Sequence, residues 1–167
     1  MRQGRVEQCG DPQVIYAHPA TVFVADFIGQ MNRLSARIEL GPDNERLLKF
    51  KGSEKAFSAN GIDTMTPGQD VVAMVRPERV SILPTDAQRT LPSNTMDANI
   101  NEVIFTGEKF TAYLDTKIGI IIAFSQNRSG TEAQIVAQGK KIQVSLSPDD
   151  ILVFPQPESA GIETKQL

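Results

Sequence analysis

The stretch that decides the fold is Val71-Val72-Ala73-Met74-Val75-Arg76-Pro77-Glu78. Its first five residues form a short apolar run rich in β-branched side chains, which is typical of a strand covered on both faces. Pro77 ends the run, because proline cannot donate to the hydrogen-bond ladder of a sheet, and it pushes Arg76 towards an extended conformation. A second run of this kind occupies residues 118–124. The two runs predict a β fold in which some strands are buried on both faces.

Other segments alternate apolar and polar residues, which is typical of strands with one buried and one solvated face. These segments are residues 36–40, 110–115 and 142–146. Further candidate strands occupy residues 47–51, 80–83, 100–105 and 151–154. About nine strands therefore follow residue 33, with turn signals roughly every ten residues. This organisation predicts an all-β fold, either a small barrel or a sandwich.

The first thirty residues predict two short helices instead. Asp11 and Pro12 form a helix start, since Asp accepts from unpaired amides and Pro suits the first helical position. This helix is expected to end at about Ala17. The second helix is expected over residues 19–28, with Gly29 at its C-terminal cap. Its apolar side chains fall on one stripe, formed by Phe23, Val24, Phe27 and Ile28.

Length and composition exclude several classes of protein. The chain has 167 residues, with 17 Lys and Arg against 20 Asp and Glu, so its net charge is −3. This acidic balance argues against a nucleic-acid partner, which would require a basic face to displace counterions. No apolar window approaches the length of a membrane span, and the polar residues 1–10 do not resemble a signal peptide. We therefore expect a cytosolic protein.

No catalytic, cofactor-binding or metal-binding set of residues is predicted. Cys9 and His18 are the only cysteine and histidine, which excludes an internal disulfide and most Cys- or His-based metal and triad chemistry. No phosphate loop of the type Gly-x4-Gly-Lys-Ser/Thr occurs, so ATP binding and hydrolysis by these residues are not expected. Asp149 and Asp150 are adjacent and are interpreted as turn residues. The glycosylation pattern at residues 127–129 is interpreted as chance.

Arg76 and Glu78 allow two interpretations. Arg76 could recognise an anion or a carboxylate on a partner, or it could pair with Glu78 and fix the exit of the strand. We favour the structural interpretation, because the two residues flank a proline at the end of a buried strand.

The N-terminal stretch resembles the end of the ATPase domain of an ABC importer, where it runs into its C-terminal extension. It contains Gly-Arg-Val-x-Gln-x-Gly-x-Pro at residues 4–12 and Phe-Val-Ala-x-Phe-Ile-Gly-x-x-Asn at residues 23–32. Val-Arg-Pro-Glu at residues 75–78 is similar to the signature of that extension, the TOBE domain, and residues 101–108 resemble its later hairpin. The resemblance implies a structural role for the motif residues Gln8, Gly10, Pro12, Tyr16, Pro19, Phe27, Gly29, Asn32, Arg76, Pro77 and Glu78.

The resemblance also implies an architecture. Residues 1–30 would be the tail end of the ATPase domain, with a strand and two short helices, and residues 31–156 an OB-like β-barrel. Two sub-barrels joined near residues 85–95 are an open alternative, and residues 157–167 are expected to form a flexible tail. The phosphate loop and the other ATPase motifs are missing, so we expect a fragment or truncated product of a longer ATPase.

The role implied is that of an accessory regulatory and dimerisation domain in the ATP-binding subunit of an importer, of the spermidine/putrescine type. ATP and magnesium would be cofactors of the parent ATPase and not of this chain. The implied partners are the ATPase domain and, indirectly, the membrane permease subunits. The implied location is the cytoplasmic, inner face of the cell membrane.

Two other functions remain open. A free-standing barrel could bind an oligosaccharide or an oxyanion such as molybdate, through Lys140, Lys141, Ser145 and Ser147. Alternation places Ser145 and Ser147 on the solvated face of their strand, where hydroxyls are ordinary, so we favour the accessory domain. A hydrolase or transferase is disfavoured further, because no base–nucleophile pair can be named.

A homodimer is also expected. If the ATPase domain is absent, the stripe on the second helix would lie in water, and each large apolar side chain would lose roughly 1.5–3 kcal/mol of burial. We expect a second chain to cover this stripe, with residues 12–30 at or near the contact.

Overall fold

The computed structural model describes residues 1–83, 90–126 and 137–156. Two short helices come first, α1 (Pro12–Ala17) and α2 (Val22–Ile28). The strands that follow in the described ranges are β1 (Asn32–Leu40), β2 (Arg46–Phe50), β3 (Asp70–Val75), β4 (Val80–Leu83), β5 (Thr95–Phe105), β6 (Lys109–Thr116), β7 (Gly119–Gln126), β8 (Lys141–Leu146) and β9 (Leu152–Pro155). Single 3-10 turns, Pro77–Arg79 and Pro148–Asp150, precede β4 and β9. The all-β prediction is confirmed, and each strand predicted after residue 33 is present with its ends shifted by a few residues. The strand expected within residues 1–30 is not formed, because only an isolated bridge between Arg2 and Arg5 occurs there.

The strands form two antiparallel sheets. The first sheet has the order β2-β1-β3-β9, and the second has the order β4-β8-β5-β6-β7. The chain passes from the first sheet to the second through the turn Pro77–Arg79 and returns to the first sheet in β9. The edge strand β7 lies beside this turn and beside β4, so the second sheet curls back on itself.

One hydrophobic core lies between the sheets. The first sheet contributes inward side chains such as Ile38, Phe50 and Ala73, and the second contributes Leu114 and Val144 among others. Strict alternation in β1 and β6 supplies this core from one face of each strand. Phe50 and Phe57 pack edge to face within it, with ring centroids 5.1 Å apart.

β3 is buried on both faces, as its apolar run predicts. Val71, Ala73 and Val75 point into the main core, whereas Val72 and Met74 point outward and are covered by Ala25 of α2. The helical segment therefore packs on the outer face of the first sheet. This second, smaller core explains why a central strand of an antiparallel sheet has no polar face.

The structure corrects the predicted stripe on α2. The helix begins at Val22, with Thr21 rather than Pro19 before it, because the Thr21 hydroxyl accepts from the amide of Val24. Val24 and Ala25 are buried and Ala25 packs against β3, whereas Phe27 is 76% exposed. Of the predicted stripe only Val24 is buried, while Phe23 is half-buried and Ile28 is 37% exposed, so the chain's own β domain covers only part of the stripe.

The prediction for residues 118–124 is half wrong. In β7 only Ile121 and Ala123 are fully buried, and Ile120 is 61% exposed. The outward residues Ile122 and Phe124 are only half-buried, in contrast to Val72 and Met74 of β3.

The proposed domain boundaries remain predictions. Most of the expected joint near residues 85–95, the loop at residues 127–130 and the tail at residues 157–167 lie outside the described residues. No helix in the described part is long and apolar enough to cross a membrane.

Candidate functional site

Four of the motif residues meet where the N-terminal segment, residues 1–30, joins the β domain. We call this contact, formed by Tyr16, Gly29, Arg76 and Glu78, the joint. α1 forms because Asp11 caps it, its carboxylate accepting from the amide of Gln13 at 2.8 Å, and because Pro12 occupies the first turn. The helix is only six residues long, so it depends on the contacts of its last turn. Tyr16, in that turn, provides them.

Arg76 is the centre of the joint. It directly follows β3 and is only 5% exposed. Its Nη2 donates to the backbone carbonyl of Tyr16 at 2.8 Å, and its guanidinium carbon lies 3.5 Å from the centroid of the Tyr16 ring. A buried guanidinium needs acceptors, and a stacked aromatic ring adds a cation–π attraction of the order of 1–2 kcal/mol. Arg76 thus connects a central strand of the first sheet to α1.

Gly29 leaves room for this guanidinium. Gly29 is the C-cap of α2, as expected, but its φ of 179° is extended backbone and not the left-handed conformation that favours glycine. A Cβ built at this position would lie 3.0 Å from Nη1 of Arg76. The absence of a side chain at the end of α2 therefore allows Arg76 to reach Tyr16.

Glu78 contacts Tyr16 rather than Arg76. The Tyr16 hydroxyl donates to the Glu78 carboxylate. The expected pair between Arg76 and Glu78 is therefore wrong. Each of the two residues contacts Tyr16 instead. Burial, followed by this hydrogen bond, raises the pKa of Tyr16 above its usual value, and the nearby Arg76 charge opposes the rise.

Gln8 and Pro19 fix the connection between the two helices. The side-chain amide of Gln8 donates to the carbonyl of His18 at 3.0 Å, and its oxygen accepts from the amide of Ala20 at 2.8 Å. Pro19, between them, is buried. One glutamine therefore satisfies both backbone groups that the proline turn leaves unpaired.

Asn32 links the two sheets. Its side-chain amide donates to the carbonyl of Ile122 at 2.8 Å, and its oxygen accepts from the amide of the same residue at 2.7 Å. The side chain imitates a backbone peptide at the edge of β7 and satisfies both groups there. The only sequence signal for Asn32 was its place at the end of the motif at residues 23–32, which indicates no partner.

The remaining motif residues lie apart from the joint. Gly10 precedes α1, Pro12 and Pro77 begin helical turns, and Phe27 projects into solvent. The rings of Phe27 and Phe23 are stacked, with centroids 6.0 Å apart. A structural role for the whole motif set therefore remains a prediction.

The residues considered for oxyanion binding do not converge. Ser145 is only 4% exposed, and its hydroxyl donates to the carbonyl of Ser93 at 3.1 Å. The expectation that Ser145 faces solvent is wrong, because residues 93–94 cover the outer face of β8 here and Asn94 donates to the carbonyl of Leu146. Lys140 and Lys141 lie at the opposite end of the strand and are exposed.

The other titratable candidates are dispersed. Cys9 and His18 are exposed, Asp149 accepts from Asn60, and Asp150 pairs with Arg79 at 3.6 Å. Within residues 1–83, 90–126 and 137–156, no group of three or more His, Cys, Asp and Glu side chains could hold a metal ion. The joint around Arg76 is thus the candidate site, and what it does in the structure is to hold α1 to the end of β3.

The comparisons with known proteins agree with this architecture. Residues 73–154 match the family model described as the TOBE domain. A spermidine/putrescine import ATP-binding protein of Nitrosomonas europaea is 34% identical over 148 residues, which cover 87% of this chain and 40% of that protein. An Fe(3+) ions import ATP-binding protein of Rhizobium meliloti is 30% identical over 166 residues, covering 92% of this chain and 40% of that protein. A sulfate/thiosulfate import ATP-binding protein of Bacillus cereus is 27% identical over 165 residues, covering 97% and 39%.

A solved structure of the cytoplasmic molybdate-binding protein ModG shares the fold with a TM-score of 0.59 and 13% identity, covering 75% of this chain and 96% of that one. This likeness confirms the OB-like class and extends to the fold alone. The match to import ATP-binding proteins involves only their TOBE-containing part, because this chain spans 39–40% of the three relatives. The chain therefore belongs to the TOBE domains that form part of the ATP-binding subunits of ABC importers.

Proposed function

We propose that this chain is the accessory regulatory and dimerisation part of the ATP-binding subunit of an ABC importer. The observation that carries the proposal is the joint at Arg76. The N-terminal segment, which resembles the end of an ATPase domain, is held to β3 by a buried guanidinium that binds the Tyr16 carbonyl and ring. A displacement of α1 therefore acts directly on the end of a central strand of the β domain.

The chain itself contributes no catalytic group in this proposal. ATP and magnesium belong to the nucleotide-binding part of the parent protein. Calorimetric titration of the chain with ATP and magnesium is expected to give no binding heat and no phosphate release. Micromolar binding with turnover would contradict the accessory role.

The substrate class that we propose is the polyamines. Spermidine/putrescine import ATP-binding proteins from several bacteria are similar to this chain over most of its length, although iron and sulfate importers also match. Deletion of the gene should lower uptake of labelled spermidine and leave uptake of sulfate and ferric ion unchanged. Loss of sulfate or iron uptake alone would move the assignment to that solute.

The partners that we propose are the ATPase domain, the permease subunits reached through it, and a second copy of this chain. Nucleic acid is not among them, given the net charge of −3. The location would be the cytoplasmic face of the cell membrane, through the transporter complex.

The coupling role is tested in a chimera. Residues 1–167 would replace the matching C-terminal part of the Nitrosomonas europaea protein, and ATP hydrolysis and spermidine uptake would be measured in vesicles with the permease. The chimera is expected to transport, whereas its Arg76→Ala variant should hydrolyse ATP with uptake reduced several-fold. Equal uptake per ATP in the two proteins would refute coupling through the joint. Arg79→Ala, which removes an exposed arginine three residues away, is the matched control.

A further inference from the structure

A groove lies at one rim of the β domain and shares no residue with the joint. Its walls are residues 53–57, which follow β2, residues 95–97 at the start of β5, and residues 117–118 in the turn between β6 and β7. The groove has a volume of about 220 Å³. Sites for drug-sized molecules have about 300–1,000 Å³, so this groove suits a smaller molecule.

Contacts within the chain hold the walls together. Gly52, with a φ of 90°, comes so close to the turn between β6 and β7 that a Cβ there would lie 2.3 Å from the carbonyl oxygen of Lys117. The side-chain oxygen of Asn94 accepts from the amide of Ser58 at 2.8 Å, and its nitrogen donates to the carbonyl of Ser58 at 2.7 Å. The shape of the groove is therefore set by the chain itself, as is usual for small-molecule sites.

The floor of the groove is apolar. Phe57 is fully buried there, and Met96 and Ile118 are partly buried against the main core. Leu91 adds an exposed apolar side chain at the edge. A short run of methylene groups would be removed from water on this floor.

The two ends of the groove lead into different depressions of the surface. One end opens into a depression that is also lined by Lys55, Leu91 and Thr95. The other end opens into a depression that is also lined by Asp97 and Lys117. Because Thr95 and Asp97 are two residues apart on β5, the two ends are separated by roughly 7 Å.

The end at Asp97 has a net negative charge. The ammonium group of Lys117 pairs with the carboxylate of Glu54 at 3.1 Å, so these two charges offset each other. Asp115 and Lys141 add one charge of each sign to the adjoining depression. The carboxylate of Asp97 is what remains after these pairs are counted.

The end at Lys55 has a net positive charge. Lys55 is exposed, and the other described residues that line the depression at this end are uncharged. Lys49 donates to the backbone carbonyl of Glu54 at 2.8 Å, but its side chain lines a different depression. The groove thus has an anion at one end, a cation at the other and an apolar floor between them.

We propose that the groove binds a small ω-amino carboxylate, a molecule in which a short chain of methylene groups joins an ammonium group to a carboxylate. The ammonium group is placed at Asp97, the carboxylate at Lys55 and the methylene groups on the floor. A diamine or a dicarboxylate of the same length would bring like charges together at one end, so the groove selects against both. Only the use of this site to regulate transport rests on the proposed function, because binding is measured on the chain alone.

Titration of the nitrogen-15-labelled chain with 5-aminopentanoate, followed by proton–nitrogen correlation spectra, tests the site. Saturable shifts are expected for the amides of residues 53–57, 95–97 and 117–118. Pentylamine, pentanoate and 1,5-diaminopentane should each bind at least about threefold more weakly, since each lacks one of the two charge contacts at these exposed side chains. Absence of saturable shifts up to about 10 mM, or shifts confined to other residues, would overturn the site. Tighter binding of 1,5-diaminopentane than of 5-aminopentanoate would overturn the assignment of the two ends.

Reversal of one charge tests the ligand class independently. Lys55→Glu should weaken binding of 5-aminopentanoate at least about threefold and strengthen binding of 1,5-diaminopentane, so that the preference is inverted. Lys51→Glu makes the same change of charge at an exposed lysine that does not line the groove, and it should leave the preference unchanged. Circular dichroism melting checks that both variants are folded. An unchanged preference in Lys55→Glu, or the same inversion in Lys51→Glu, would refute the proposal and leave the role of the joint to the chimera.

Discussion

The β domain and the N-terminal segment are stabilised in opposite ways. The β domain has a core to which both sheets contribute many apolar side chains, so its stability is distributed over many contacts. The segment packs on the β domain through Ala25 on one side, whereas Tyr16 and Gly29 contact Arg76 and Glu78 of the β domain on the other. Its attachment can therefore be weakened by single substitutions that leave the β domain folded. Low local stability of this kind is what the proposed coupling role would require of the N-terminal segment.

The largest effect is expected in the core. Leu114→Ala should lower the free energy of unfolding by about 2–5 kcal/mol, because a fully buried side chain is replaced by a cavity. Leu40→Ala, the same substitution at an exposed position at the end of β1, should change it by less than about 1 kcal/mol. Urea denaturation followed by circular dichroism measures both. Equal effects would show that the core between the sheets is not the source of stability.

Removal of Arg76 should destabilise the N-terminal segment and leave the β domain folded. Arg76→Ala is expected to lower the free energy of unfolding by about 1–3 kcal/mol, through loss of a buried hydrogen-bonded charge that also stacks on Tyr16. Hydrogen exchange should show lost protection in α1 and retained protection in β6. Arg76→Lys should recover only part of the loss, since an ammonium group cannot reproduce the planar stacking. Unchanged melting combined with loss of a partner would instead make Arg76 a recognition residue.

Removal of the Asn32 link between the sheets should lower the free energy of unfolding by an intermediate amount. Its effect should be confined to the β domain. Asn32→Ala leaves the amide and carbonyl of Ile122 without their partner, and about 1–2 kcal/mol of stability should be lost. Exchange of the Ile122 amide should accelerate, while α1 keeps its protection. Asn99→Ala, at an exposed position on β5, is the matched control and should have little effect. If Asn32→Ala accelerated exchange in α1 more than it accelerated exchange of the Ile122 amide, Asn32 would belong to the joint instead.

The smallest effect concerns the hydroxyl of Tyr16. Its pKa is raised in the folded state, so the neutral hydroxyl is favoured by folding. The associated stability is fully present below the unfolded value near pH 10 and is lost as the pH rises through the folded pKa. Because Tyr16 is partly exposed, Tyr16→Phe should cost no more than about 1 kcal/mol at pH 7.

The pH dependence can be followed directly. The chain has two tyrosines, so Tyr113→Phe leaves Tyr16 as the only phenol absorbing at alkaline pH. Its ionisation midpoint should lie above that of free tyrosine, and Glu78→Gln should bring the midpoint down. A midpoint that Glu78→Gln leaves in place would mean that burial alone holds the pKa of Tyr16.

Much of the fold was predictable because strands and helix starts depend on local sequence patterns. The alternation in β1, β6 and β8 and the continuous run in β3 give the strands, and Asp11 with Pro12 gives the start of α1. The errors share one cause. Ser145, the stripe on α2 and the outer face of β7 were judged from periodicity, which says which residues share a face but not what covers that face.

The sequence by itself determined the all-β class, the positions of the strands and the motif that identifies the family. Each of these depends on the order of residue types along the chain, which local sterics, hydrogen bonding and hydrophobic spacing translate directly. Only the tertiary structure decided that Arg76 binds Tyr16, that Gly29 makes room for it, and that Asn32 joins β1 to β7. These contacts connect residues 47 to 90 positions apart, and their partners are chosen by how the sheets and helices pack, which no local pattern specifies.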